Sequence, residues 1–107
     1  MKAQILHKAG LPFSLEDVPD PEPGPGEAVA RVLACGAGLT IHHVRAGRAA
    51  AEFPIIIGHE ITGEIVEVGK GADPGGLQVG DPVTSYFYLT DGEDKWTRLG
   101  HDPISNA

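Results

Sequence analysis

The sequence predicts a mainly β domain, antiparallel and rich in loops, most simply a small barrel. Three observations predict it. Glycine (15) and proline (9) make up more than a fifth of the 107 residues, a density that fills a chain with turns. Apolar and polar residues alternate with a period of two in several short segments, as a half-buried sheet requires. The one segment with helical character, residues 40–46, is long enough for a single turn.

Each element follows in order. Residues 3–7 are short and mixed, Gly10-Leu11-Pro12 turns the chain, and residues 13–18 alternate as a strand; together they form an amino-terminal hairpin. In residues 19–26 every second position is proline or glycine, which forbids a regular ladder and favours an extended crossover. Residues 27–37 read as a central strand of small side chains, closed by Gly36-Ala37-Gly38. Thr40 is a candidate cap of the helical turn and Gly47 its stop. Residues 53–57 are a buried apolar run leading into Gly58-His59-Glu60. Residues 61–68 alternate as a strand ended by Gly69-Lys70-Gly71, and residues 83–89 form a strand holding Tyr86, Phe87 and Tyr88. The tail, residues 90–107, is polar and irregular. The whole chain is expected to be one domain.

Charge narrows the partners. The formal net charge is −7, from 8 basic and 15 acidic residues, and the acidic surplus lies mostly beyond residue 57. A nucleic-acid binder needs a basic stripe to displace counterions, and none is present. Membrane is excluded too, because no stretch approaches the roughly 18 apolar residues of a span. Lys2, His7, Lys8, Glu16 and Asp17 break up the start, so no signal peptide is expected. The lone Cys35 forbids an intrachain disulfide. A cytoplasmic protein is the expectation.

Few residues carry chemistry. Gly24-Pro25-Gly26 and Gly36-Ala37-Gly38 each begin the glycine fingerprint of a dinucleotide site, but Val29 and Ile41 stand where its third glycine belongs. No cofactor site is therefore expected in this chain. His59 beside Glu60 suits metal ligation or proton transfer; the plainer alternative is a strand-end histidine satisfied by a backbone carbonyl. Neighbours on a helix, His42 and His43 point about 100° apart, so one faces a site while the other, His42, faces water. Cys35 reads as a buried, inert thiol. Asp91-Gly92-Glu93-Asp94 reads as a solvated acidic loop, since it lacks the ligand alternation of a calcium loop.

Taken in order, these segments resemble a known family. Gly58-His59-Glu60-Ile61-Thr62-Gly63-Glu64-Ile65-Val66-Glu67-Val68-Gly69 resembles the Gly-His-Glu signature of medium-chain, zinc-type alcohol dehydrogenases. Pro23-Gly24-Pro25-Gly26-Glu27, Cys35-Gly36-Ala37-Gly38 and Val79-Gly80-Asp81-Pro82-Val83 stand around it in the family's order. The resemblance implies a GroES-like, partly open antiparallel β-barrel with short helical turns and long loops. It also implies the catalytic-domain portion of an oxidoreductase that interconverts alcohols and carbonyls with NAD(P) and zinc.

By the same resemblance the Thr40 hydroxyl and His43 form a proton relay, and His59 is a zinc ligand with Glu60 its occasional alternative. Gly38 stands where the family's second cysteine ligand belongs and can coordinate nothing. Ile41 replaces an acidic residue, and the third ligand lies beyond this sequence. Residues 90–107 resemble a structural-zinc lobe in which Asp91, Asp94, Thr97 and Ser105 replace the four cysteines. That oxygen set is one zinc does not favour, so the lobe is expected to be mobile unless its acidic loop makes hydrogen bonds instead. The family's later barrel strands and its nucleotide-binding domain are missing from this sequence. An open sheet edge is then expected, covered by a homo-oligomer or a complementing chain. The isolated chain is expected to be catalytically silent. The alternatives are a non-catalytic β-barrel interaction module, an engineered scaffold, or one chain of a two-chain dehydrogenase.

Overall fold

The computed structural model describes residues 1–72, 76–90 and 92–104. The amino-terminal hairpin forms as expected: β1 (Lys2–Ile5) and β2 (Ser14–Asp17) pair antiparallel, with Lys2 opposite Asp17 and Ile5 opposite Ser14. Lys2 Nζ donates to both carboxylate oxygens of Asp17 at 3.0 Å, closing the open end of the hairpin. His7 meets Glu16 beside it. That hydrogen bond, seconded by one from Ser14, holds the Glu16 carboxyl below the usual carboxylate range.

β3 (Ala28–Cys35), β4 (Ile61–Val68) and β5 (Pro82–Thr84) form a second antiparallel sheet in the order β3-β4-β5. The middle strand is therefore β4, and the segment expected to be central lies at an edge. β3 shifts register between Val29 and Ala30 and again between Val32 and Ala34, irregularities of the kind that bend an edge strand. The strand expected over residues 83–89 ends at Thr84. Past it, Tyr86, Phe87 and Tyr88 pack edge-to-face on one another. Aromatic alternation alone does not separate a ladder from such a cluster.

α1 spans Leu39–Arg45. Its N-cap is Gly38 with no side-chain cap, so Thr40 lies inside the helix rather than capping it. Gly47, at φ +74°, ends it as expected. The tail is less irregular than its sequence suggests: α2 covers Lys95–Arg98 and a 3₁₀ turn covers Asp102–Ile104.

The core is thin. Leu6 is fully buried, with Ala3, Ile5, Val44, Ile65 and Ala72 nearly so; complete burial of a leucine stabilises by about 1.5–3 kcal/mol. Leu6 and Ile55 exchange backbone hydrogen bonds of 2.9 and 3.0 Å, linking the hairpin to the run before Gly58. That run is not the buried stretch expected, because Ile56 is 54% exposed. Gly10 donates to the Arg45 carbonyl at 2.7 Å, and Arg45 Nε donates to the Leu11 carbonyl at 3.1 Å, so α1 is fastened to the hairpin turn. Val32 and Leu33, at the second register shift of β3, are both exposed. The radius of gyration is 15.6 Å, against about 13 Å for a compact chain of this length. The architecture is mainly β and its sheets are not closed into a barrel. No helix among the described residues is long and apolar enough to cross a membrane.

Candidate functional site

His59 and Glu60 lie where three elements converge. The backbone of residues 59–61 is held on one side by the end of β3, where Gly36 N–H donates to the Glu60 carbonyl at 2.9 Å. On the other side it is held by the end of β5. Ser85 Oγ donates to the His59 carbonyl at 3.1 Å, Ser85 N–H donates to the Ile61 carbonyl at 2.9 Å, and Thr84 Oγ1 donates to that same carbonyl at 3.1 Å. Two strand ends thus fix the segment before either side chain is considered.

The imidazole of His59 is half-buried rather than buried. Phe87 packs edge-on against it with ring centroids 4.6 Å apart, and Glu60 Oε1 lies 3.9 Å from Nε2. The Glu60 carboxylate is turned towards two glycines. A Cβ on Gly36 would overlap Glu60 Oε2 and fall 2.9 Å from Glu60 Cβ, and a Cβ on Gly38 would overlap Glu60 Oε1. The missing side chains at 36 and 38 are therefore what admit the carboxylate. Gly58 is tight for a similar reason: a Cβ there would lie 2.8 Å from Cys35 Sγ. Cys35 itself is exposed, not the buried thiol expected; β3 is an edge strand of its sheet among the described residues.

This arrangement tests whether zinc fits. Tetrahedral sites use at least three protein donors, and His59 with Glu60 supplies two. Gly38 offers none, and the space that a side chain there would use holds the Glu60 carboxylate. No group of three or more His, Cys, Asp or Glu able to hold a metal occurs among the described residues. The described residues do not fit zinc.

Thr40 and His43 stand one turn apart on α1 and so share a face of the helix. His42 faces water as expected, while His43 is half-buried. Arg48 Nε donates to His43 Nδ1 at 3.0 Å, a partner that no motif in the sequence announces.

In the tail, Asp94 caps α2. Its Oδ1 accepts from Trp96 N–H at 2.8 Å and Thr97 N–H at 3.2 Å, and its Oδ2 accepts from Thr97 Oγ1 at 2.8 Å. Arg98 pairs with Glu93 at 2.7 Å. Tyr86 O–H donates to Asp102 Oδ2 at 2.7 Å, and that hydrogen bond is the main reason the phenol is pushed above its ordinary value. The acidic loop does make hydrogen bonds. Asp91 and Ser105 lie outside the described residues. An apolar and acidic groove of about 490 Å³ along Pro21–Ala30 shares no lining residue with the His59 cluster.

Residues 24–104 match the family model described as the alcohol dehydrogenase GroES-like domain. The chain is 35% identical over 109 residues to a NAD-dependent alcohol dehydrogenase of Sulfolobus acidocaldarius, covering 95% of this chain and 31% of that one. It is 34% identical over 103 residues to an acryloyl-coenzyme A reductase of Sulfurisphaera tokodaii, covering 95% and 30%. The crystal structure of the alcohol dehydrogenase from Aeropyrum pernix superposes with a TM-score of 0.88 at 32% identity, over 99% of this chain and 32% of that one. The chain thus spans about a third of the length of the relatives it matches.

Proposed function

Given that the chain belongs to the alcohol dehydrogenase GroES-like domain family, we propose that it is the catalytic-domain portion of an alcohol dehydrogenase-like oxidoreductase and that the isolated 107 residues are catalytically silent. One observation carries this reading: beside His59, the Glu60 carboxylate occupies the cradle of Gly36 and Gly38, where a further metal donor would have to stand. The complete enzyme would exchange hydride between a nicotinamide and an alcohol or carbonyl, chemistry that belongs to the cofactor.

What this chain contributes is positioning by its own side chains. β3 and β5 hold His59 and Glu60 at a fixed depth, and Phe87 screens one side of the imidazole. Thr40 and His43 are the proton relay of this reading, a hydroxyl and an imidazole on one helix face. On this reading the tail is the counterpart of the family's structural-zinc lobe, and the Thr97 hydroxyl donates to Asp94 there. A cytoplasmic setting goes with a single free thiol.

A second reading, a non-catalytic β module completed by another chain or a second copy, is favoured by the exposed apolar residues of edge strand β3, Val32 and Leu33. Light scattering separates the two: a species of 11.2 kDa disfavours an obligate oligomer. For catalysis, the purified chain is mixed with primary and secondary alcohols and either nicotinamide. The expected result is no absorbance change above background, and turnover that scales with chain concentration overturns the proposed silence.

A further inference from the structure

α1 ends in a turn that determines what lies against His43. Gly47 adopts φ +74°; its N–H donates to the Val44 carbonyl at 3.0 Å, and Arg48 N–H donates to the His43 carbonyl at 2.8 Å. These two bonds make a Schellman motif, in which the second residue past the cap folds back over the third residue before it. An apolar contact usually accompanies that return. Here the two residues are Arg48 and His43, and the contact is a hydrogen bond from Arg48 Nε to His43 Nδ1 at 3.0 Å.

A guanidinium has donors and no acceptor. Nδ1 must therefore offer its lone pair, and the ring's proton lies on Nε2. We propose that Arg48 is a positioning residue that holds His43 as the neutral Nε2–H tautomer, so that this edge of the ring presents a donor to whatever the site receives. The proposal rests on the reading of His43 as the relay histidine for its functional meaning, but the tautomer itself does not depend on that reading. His42, with its ring centroid 6.0 Å away, is the other imidazole beside it. The Ile41 side chain offers no carboxylate that could draw the proton to Nδ1 instead. The helix's C-terminal end favours the Arg48 cation as well.

The experiment is nitrogen NMR of the ¹⁵N-labelled 107-residue chain near pH 8, with the His43 signals assigned by their loss in His43→Gln. The expected result is a lone-pair-type Nδ1, a protonated Nε2, and a coupling across the hydrogen bond between Arg48 Nε and His43 Nδ1. Arg48→Met keeps an apolar residue suited to the return position of the motif and removes the donor. It is expected to abolish the coupling and shift the Nδ1 resonance, with the helix amide signals retained. Arg48→Lys, which restores a donor, is expected to return the shift part of the way. A protonated Nδ1 in the wild-type chain, or His43 ring signals unchanged in Arg48→Met while α1 stays folded, overturns the proposal. Neither outcome depends on turnover, so failure of the relay reading leaves this result readable on its own.

Discussion

Replacing Asp94 with alanine removes three hydrogen bonds at once, two from the first-turn N–H groups of α2 and one from the Thr97 hydroxyl. Loss of a side-chain N-cap costs roughly 0.5–2 kcal/mol, and the hydroxyl bond falls within the usual net worth of about 1 kcal/mol. α2, four residues long, has little to absorb this. A local cost of about 1.5–3 kcal/mol corresponds to a roughly 10- to 150-fold rise in the opening equilibrium. Native-state hydrogen exchange at the Trp96 and Thr97 amides reads that number directly, and the fluorescence of Trp96, the only tryptophan, reports the same opening. Asp94→Asn keeps an oxygen acceptor at the cap and is expected to lose only a few tenths of a kcal/mol, which separates hydrogen bonding from charge. Chelator is expected to change neither signal. The reasoning fails if Asp94→Ala leaves exchange at both amides within about twofold of the wild type. It also fails if chelator alone opens the lobe.

Two further outcomes follow from the site and from the tail. Gly38→Cys places a Cβ against Glu60 Oε1, the flexible end of a side chain that can swing away. The variant is therefore expected to fold and, with the introduced thiolate added to His59 and Glu60, to gain zinc affinity in a competition titration; affinity no better than wild type counts against the vacated-ligand account. Asp102→Asn removes the charged acceptor that holds the Tyr86 phenol above its ordinary value. In a Tyr88→Phe background the ultraviolet titration of Tyr86 is expected to move down towards that value. The sign is that of an acid whose neutral form donates the bond, so the Tyr86 contribution to stability is present below the ordinary phenol value and fades as pH rises through the raised one.

Local pattern carries the fold as far as local physics reaches. β2 and β4 announce themselves by alternation, β1 only as the short partner before the Gly10-Leu11-Pro12 turn, and Gly47 stops α1 because a left-handed residue suits glycine. The edge position of β3 is not legible, since its small side chains are compatible with either an inner or an outer place in the sheet. Alternation overstates the length of β5, because Tyr86, Phe87 and Tyr88 follow a strand pattern while stacking as a cluster. α2 escapes a reading of periodicity although Asp94 precedes it as a cap, because one helical turn leaves no period to detect. At the site, the His59–Glu60 pair stands out by its residue types. The insertion of Glu60 between Gly36 and Gly38 is a contact between distant segments and leaves no local mark. The Arg48–His43 bond lies between the two: the spacing from histidine to the residue after Gly47 permits it, but the motif usually brings apolar side chains together.

The most direct test of the central claim, that the GroES-like fold is kept while its metal position is given up to Glu60, is the zinc content of the purified chain. After incubation with excess zinc and removal of the unbound ion, the predicted content is below about 0.1 equivalent, because two donors do not hold zinc with useful affinity. One tightly held equivalent, lost together with His59 in His59→Ala, would contradict it.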